Sequence, residues 1–147
     1  MSFVHLHVHD QYSQLDGFGT AKEYVERAKF LNQDALASTN HGNIDGLIKF
    51  QKECLKGGIK PLLGCELYVV DDISNKESTR RHMTILIKNE HGWKAICNLL
   101  TRANLEGFYR RPRVEYSWIK NLPEEQINGL VIMSACLQSF LHDDSGH

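Results

Sequence analysis

Three histidines occupy alternate positions near the start of the chain, in Phe3-Val-His-Leu-His-Val-His9. Side chains of an extended strand alternate between its two faces, so His5, His7 and His9 share one face and Leu6 and Val8 the other. Neighbouring imidazoles then stand roughly 6–7 Å apart at their roots, near enough for two of them to converge on one ion. Neutral imidazole is the commonest metal ligand, and the chain carries eight histidines.

Further ligand-type residues stand where strands are expected to end. Asp16 lies in the turn-prone Asp16-Gly17-Phe18-Gly19, His41 in Thr39-Asn40-His41-Gly42-Asn43 and Glu66 in Gly64-Cys65-Glu66. His82 opens a strand, and Cys136 follows one in Ser134-Ala135-Cys136. Barrels and open α/β sheets build their sites at the carboxyl ends of strands. Alone, His41 reads equally well as a turn residue and Glu66 as a surface carboxylate. Together they make a mixed nitrogen, oxygen and sulfur set that suits zinc or manganese and has room for more than one ion, with magnesium a further candidate. Clustered ions generate hydroxide and neutralise phosphate oxygens, which is the chemistry of multi-metal phosphatases and nucleases. The sequence lacks a Gly-x-Ser-x-Gly elbow and a glycine-rich phosphate loop.

A second feature is Phe108-Tyr109-Arg110-Arg111-Pro112-Arg113. Arg110, Arg111 and Arg113 beside two aromatic rings can hold phosphates and stack on bases, or equally form a protein interface.

The elements that must position these residues follow from periodicity. A first strand is expected over 3–8, and a helix over 20–32 behind the capping box Thr20-Ala-Lys-Glu23. A strand over 35–38 comes next, then a helical face from Ile44 to Leu55 that stops at Gly57-Gly58. Strands are expected over 60–63, 65–70 and 83–87, and helices over 90–104 and 115–121. Gly129 to Met133 reads as a buried strand, and residues 139–147 as a polar, disordered tail. Strands alternating with helices imply a largely parallel α/β arrangement.

With 147 residues, 41% hydrophobic and 24% charged, the chain reads as one globular domain. No apolar run approaches the roughly 20 residues of a membrane span, and no leader is evident, so a cytoplasmic location is expected. Seventeen Lys and Arg against 18 Asp and Glu leave a formal charge of −1, which denies the chain a global grip on nucleic acid. The four cysteines, Cys54, Cys65, Cys97 and Cys136, contain no Cys-x-x-Cys pair and are expected to be reduced.

The run from Phe3 to His9, together with Tyr12-Ser13, Leu15-Asp16-Gly17, His41-Gly42-Asn43, Gly58-Ile-Lys-Pro61, Gly64-Cys-Glu66, Lys88-Asn89, Leu105-Glu-Gly-Phe-Tyr109 and Pro112-Arg113, resembles the PHP (polymerase and histidinol phosphatase) domain. The version it resembles is the one that opens bacterial replicative DNA polymerase III alpha subunits. The resemblance covers residues 3 to 137 and implies a distorted seven-stranded α/β barrel, here incomplete, with residues 1–138 as its N-terminal part.

It also implies a trinuclear centre. His7, His9 and Glu66 would hold a first ion, Glu66 bridging to a second held by His82 and Cys136, and Asp16 and His41 a third. Glu66 and His41 would be the catalytic residues, and His5 a supporting or core histidine. The implied activity is that of a metal-dependent phosphoesterase, in one version a 3′ to 5′ exonuclease, within a DNA-directed DNA polymerase (a nucleotidyltransferase) serving DNA replication. The alternative is an inactive scaffold that stabilises the polymerase and docks a proofreading exonuclease subunit. The implied partners are the remainder of the polymerase subunit and DNA.

Three departures stand out. The family writes Thr-Asp-His-Gly where this chain has Thr39-Asn40-His41-Gly42, and glycine where it has Ala135. The family's later Asp-x-His ligand pair is absent from these 147 residues, as is the polymerase core, so a fragment, a split half or a truncated frame is expected.

Overall fold

The computed structural model describes residues 3–139, in two compact units, Met1–Cys65 and Glu66–His147. The expected polar tail lies, apart from Ser139, outside the described residues.

In the first unit, helix α1 (Ala21–Phe30) starts at the expected capping box. Thr20 Oγ1 accepts from the Glu23 N–H at 3.3 Å, and Glu23 Oε2 accepts from the Thr20 N–H at 2.8 Å, so donors that the first turn cannot pair are satisfied. Its buried face is Ala21, Val25 and Ala28. Strand β1 (Ala35–Ser38) is buried throughout. Helix α2 (Leu47–Gly57) ends at Gly58, whose φ of 73° is the left-handed cap that glycine adopts without a Cβ penalty.

Strand β1 pairs in parallel with the start of β2 (Lys60–Val70), Ala35 opposite Lys60 and Ser38 opposite Leu63. Helices α1 and α2 pack on each other and on β1. Between them lies a core of Val25, Ala28, Leu36, Phe50, Cys54 and Ile59.

The expected strand over 3–8 is not a regular one. The segment runs beside β1, with the Ala37 N–H donating to His5 O at 3.0 Å and the Thr39 N–H to Val8 O at 2.8 Å. The Val8 N–H, however, is taken by the Thr39 hydroxyl at 2.8 Å. A side chain standing in for a backbone carbonyl interrupts the ladder. The following loop folds back on itself, the Gln11 N–H donating to Gly19 O at 3.0 Å. At Gly17 an added Cβ would lie 1.7 Å from the Asp10 carbonyl oxygen, so only glycine closes this loop.

In the second unit β2 continues without a break, correcting the expectation of two strands. It neighbours β3 (Arg81–Ile87) and pairs in parallel with β4 (Arg113–Glu115), Tyr68 opposite Arg113. Helix α3 (Glu90–Leu105) lays Ala95, Ile96, Leu99, Leu100 and Ala103 inward. It packs on β3, β4 and α5 (Glu124–Ile127), and the short α4 (Tyr116–Lys120) packs on β4. Strand β4 and helix α5 had no signature in the periodicity, being only three and four residues long.

Strand β5 (Leu130–Met133) runs antiparallel to β3, with Thr84 opposite Met133 and Ile87 opposite Leu130. The sheet is therefore mixed, with β1 and β4 pairing in parallel with β2 and β5 antiparallel to β3. The cause is local: the Lys88 N–H, just past β3, donates to Gly129 O, just before β5, at 2.8 Å, so β5 must run back along β3. Val131 and Ile132 are each 42% exposed, so β5 is not the buried strand its apolar run suggested, because it ends the strand order and has β3 on one side only.

Candidate metal centre

The first unit gathers four of the expected ligands. His7 Nε2 and His9 Nε2 lie 3.0 Å apart, and His41 Nε2 and Asp16 Oδ2 lie 2.9 Å apart. Asp16 Oδ2 is also 3.9 Å from His9 Nε2, and the His9 and His41 rings stack at 4.1 Å with 13° between their planes. His9, Asp16 and His41 each offer one ligand atom within 4.8 Å of the others. Each side chain is delivered by an element already described: His7 and His9 by the segment beside β1, Asp16 by the glycine-closed loop and His41 by the turn after β1.

Around them lies a polar network that the sequence reading missed. Asp10, 2% exposed, and Asn40, 0% exposed, are buried against each other. The Asp10 N–H donates to Asn40 Oδ1 at 2.9 Å, and Asn40 Nδ2 donates to Asp10 Oδ1 at 2.8 Å. Ser38 Oγ and the Tyr12 N–H also donate to the Asp10 carboxylate. Ser13 Oγ donates to Asn40 Oδ1 at 2.9 Å and sits 3.2 Å from His9 Nδ1. A buried carboxylate, that of Asp10, thus stands against Asn40, where the family pattern has an aspartate. The sequence signal was available in the Asp10 and Asn40 pair, but only contact reveals it.

The second unit gathers the other three. His82 Nδ1 is 3.2 Å from Glu66 Oε1 and 3.3 Å from Cys136 Sγ. Glu66 lies on β2 with a side chain 1% exposed, His82 lies on β3 at 12%, and Cys136 follows β5. An imidazole nitrogen has a single in-plane direction for a proton or a lone pair. A carboxylate oxygen and a thiol sulfur crowding the same nitrogen are therefore arranged as ligands to a shared cation would be. A buried carboxylate is costly unless paired or metal-bound, which fits the same purpose. The donor set of one oxygen, one nitrogen and one sulfur fits zinc.

Ala135, beside Cys136, has φ 61°, the left-handed conformation that explains why the family has glycine there. His5 belongs to neither set. It is exposed, not core, and meets Phe3 edge-on at 4.8 Å. Next to His7 and His9 opens a cavity of about 520 Å³, lined also by Asp16, Arg27 and Gln33. Its volume is within the range of small-molecule sites.

The arginine loop divides. Arg113 is 3% exposed, and its guanidinium donates to the carbonyls of Gly107, Asn75 and Ile73 at 2.9, 2.9 and 2.6 Å. It fastens two loops together and is unavailable to a ligand. Arg110 and Arg111 are exposed, their guanidiniums 5.3 Å from the Tyr109 ring centre and 6.0 Å from that of Tyr68.

The remaining thiols are structural. Cys54 is fully buried, and burial first, with the charge of Glu53 second, pushes its pKa up to about 11. Burial also raises that of Cys97. None of the four cysteines forms a disulfide.

DNA polymerase III subunit alpha of Treponema pallidum is 45% identical over 143 residues, 93% of this chain and 12% of that protein. The subunit of the same name from Chlamydia pneumoniae is 38% identical over 149 residues, again 12% of its length. The chain thus spans about 12% of these curated relatives. Among solved structures, an amidohydrolase from Chromobacterium violaceum superposes with a TM-score of 0.53 at 27% identity, covering 68% of this chain and 32% of that one. A protein of Bifidobacterium adolescentis, provisionally assigned as a metal-dependent phosphoesterase, shares the fold with a TM-score of 0.52 at 24% identity over the same shares. The family model described as PHP domain matches residues 5–143, nearly the whole sequence, and on that match the chain belongs to the PHP domain family.

Proposed function

We propose that His7, His9, Asp16, His41, Glu66, His82 and Cys136 form one multi-ion centre of a metal-dependent phosphoesterase, carried at the start of a replicative DNA polymerase subunit. The observation that carries the reading is the pair of ligand sets, the imidazoles and carboxylate of the first unit and the oxygen, nitrogen and sulfur around His82 in the second. Bound ions would activate water and neutralise phosphate charge. In this reading His7, His9 and Glu66 hold one ion, and Glu66 bridges to a second held by His82 and Cys136. Asp16 and His41 hold a third.

The chain's own groups then have distinct tasks. His41 Nε2 and Asp16 Oδ2, 2.9 Å apart, are the nitrogen and oxygen that would share that third ion. The cavity beside His7 and His9 receives the esterified group, with Arg27 at its wall. Arg110 and Arg111 are the arginines left to meet the DNA backbone. The family's seven-stranded barrel, with these 147 residues as its first part, would bring both ligand sets to one end.

The substrate class in this reading is a phosphodiester, with 3′ to 5′ exonuclease action on DNA as its proposed form beside a polymerase. Asn40 in place of a carboxylate slightly favours the scaffold reading, and the buried Asp10 beside it supplies a carboxylate next door. Hydrolysis of bis(p-nitrophenyl) phosphate and of single-stranded DNA is expected to require added zinc or manganese and to be lost on chelation and in Glu66→Ala. Chelator-resistant hydrolysis would overturn the reading. Zinc bound without turnover would favour a scaffold that docks a proofreading subunit.

A further inference from the structure

The donors and acceptors around Asn40 form a chain whose direction can be worked out atom by atom. The Asp10 backbone N–H can only donate, and it reaches Asn40 Oδ1 at 2.9 Å. That fixes which end of the carboxamide is oxygen, and it leaves Nδ2 to donate to the Asp10 carboxylate at 2.8 Å. With Oδ1 an acceptor, the Ser13 hydroxyl must spend its one proton on it, at 2.9 Å. Ser13 Oγ is left with lone pairs alone. It accepts from the His41 N–H at 3.1 Å, so the remaining neighbour, His9 Nδ1 at 3.2 Å, must also be a donor.

We infer that Asp10, Asn40 and Ser13 form a relay that holds His9 as the Nδ1–H tautomer and thereby turns the lone pair of Nε2 toward His7 and Asp16. A neutral imidazole has one proton, so placing it on Nδ1 leaves Nε2 bare. That bare nitrogen is the atom 3.0 Å from His7 Nε2 and 3.9 Å from Asp16 Oδ2. Asp10, Asn40 and Ser13 are positioning residues, acting on an ion through His9.

The relay also accounts for the unusual residue at position 40. With Asp10 already a buried carboxylate, an aspartate at 40 would set two carboxylates 2.8 Å apart with no donor between them. The charge sits at 10 and the amide at 40, an order that is fixed because Asp10 Oδ1 accepts from the Tyr12 N–H as well as from Asn40 Nδ2, which an amide at 10 could not do.

The inference rests on the metal-centre reading for its purpose, and its test separates the two. Histidine is labelled with nitrogen-15 in the metal-free chain at about pH 8, above the ordinary imidazole range. Long-range proton–nitrogen correlation is expected to show His9 protonated on Nδ1, and Ser13→Ala to move it toward the Nε2–H form. Zinc affinity is expected to fall roughly ten- to a hundredfold in Ser13→Ala and in Asn40→Asp. The double variant Asp10→Asn with Asn40→Asp is expected to recover neither readout, because the amide atom at the place of Asp10 Oδ1 cannot both accept from the Tyr12 N–H and donate to an aspartate at 40. An Nε2–H His9 in the unmodified chain, or a tautomer indifferent to Ser13→Ala, overturns the relay whether or not the variants fold well. An Nδ1–H His9 in a chain that binds no zinc supports the relay and overturns the metal reading instead.

Discussion

At the scale of single residues, three positions have roles that burial and geometry decide. Ala135 adopts φ 61° without being glycine. A side chain in the left-handed region costs about 1 kcal/mol, so Ala135→Gly is expected to stabilise the fold by up to that amount in chemical denaturation. An unchanged or lower midpoint would show the turn unstrained. Arg113 satisfies three carbonyls from a buried position. Truncation to alanine leaves those acceptors behind and is expected to cost about 2–4 kcal/mol, with lysine a poor substitute because it lacks the planar fork. A loss below about 0.5 kcal/mol would return Arg113 to the surface role its sequence context suggested. For Cys54, a pKa of about 11 keeps the thiol protonated at neutral pH. Iodoacetamide at about pH 8 should therefore label exposed Cys136 well before Cys54, as read by mass spectrometry. Equal labelling would contradict the burial.

At the scale of elements, what the sequence made legible was what short-range periodicity and caps encode. Helices α1, α2 and α3 and strands β1 and β3 fall within a few residues of expectation, because capping boxes, glycine stops and apolar spacing are local signals. Strand β4 and the direction of β5 are set by pairing partners dozens of residues away. The first segment lost its ladder to a threonine hydroxyl 31 residues on. The candidate ligands were visible as residue types, yet Asp10 was not, since nothing in Val8-His9-Asp10 says that its carboxylate turns inward to Asn40.

The α1 cap gives a test at this scale. Thr20→Ala removes the acceptor for the Glu23 N–H and is expected to cost about 1 kcal/mol. Hydrogen bonds from the Thr20 backbone and hydroxyl hold the Glu23 carboxyl below the ordinary carboxylate range. A lowered folded-state pKa means that the cap's contribution is present above the ordinary carboxylate pKa and fades as pH falls through the lowered one. The penalty of Thr20→Ala should accordingly shrink on acidification. A penalty independent of pH would separate Glu23 from the cap.

At the scale of the whole molecule, each unit carries part of a ligand set on its own backbone, and the metal reading requires that both parts bind ions. Among the described residues no helix is long and apolar enough to cross a membrane. The net charge of −1 leaves any grip on phosphate to local features, among them the exposed Arg110 and Arg111. Glu66 is the residue on which the account turns, being the carboxylate assigned to two ions and almost wholly buried beside His82. Its conservative replacement is therefore the most direct test. Zinc stoichiometry and affinity are measured by competition with a chromogenic chelator for the unmodified chain and for Glu66→Gln, with circular dichroism confirming that both are folded. The account predicts at least one tight zinc in the unmodified chain and an affinity at least tenfold weaker in the variant; a folded chain that binds no zinc, or a Glu66→Gln variant that binds it equally well, would contradict it.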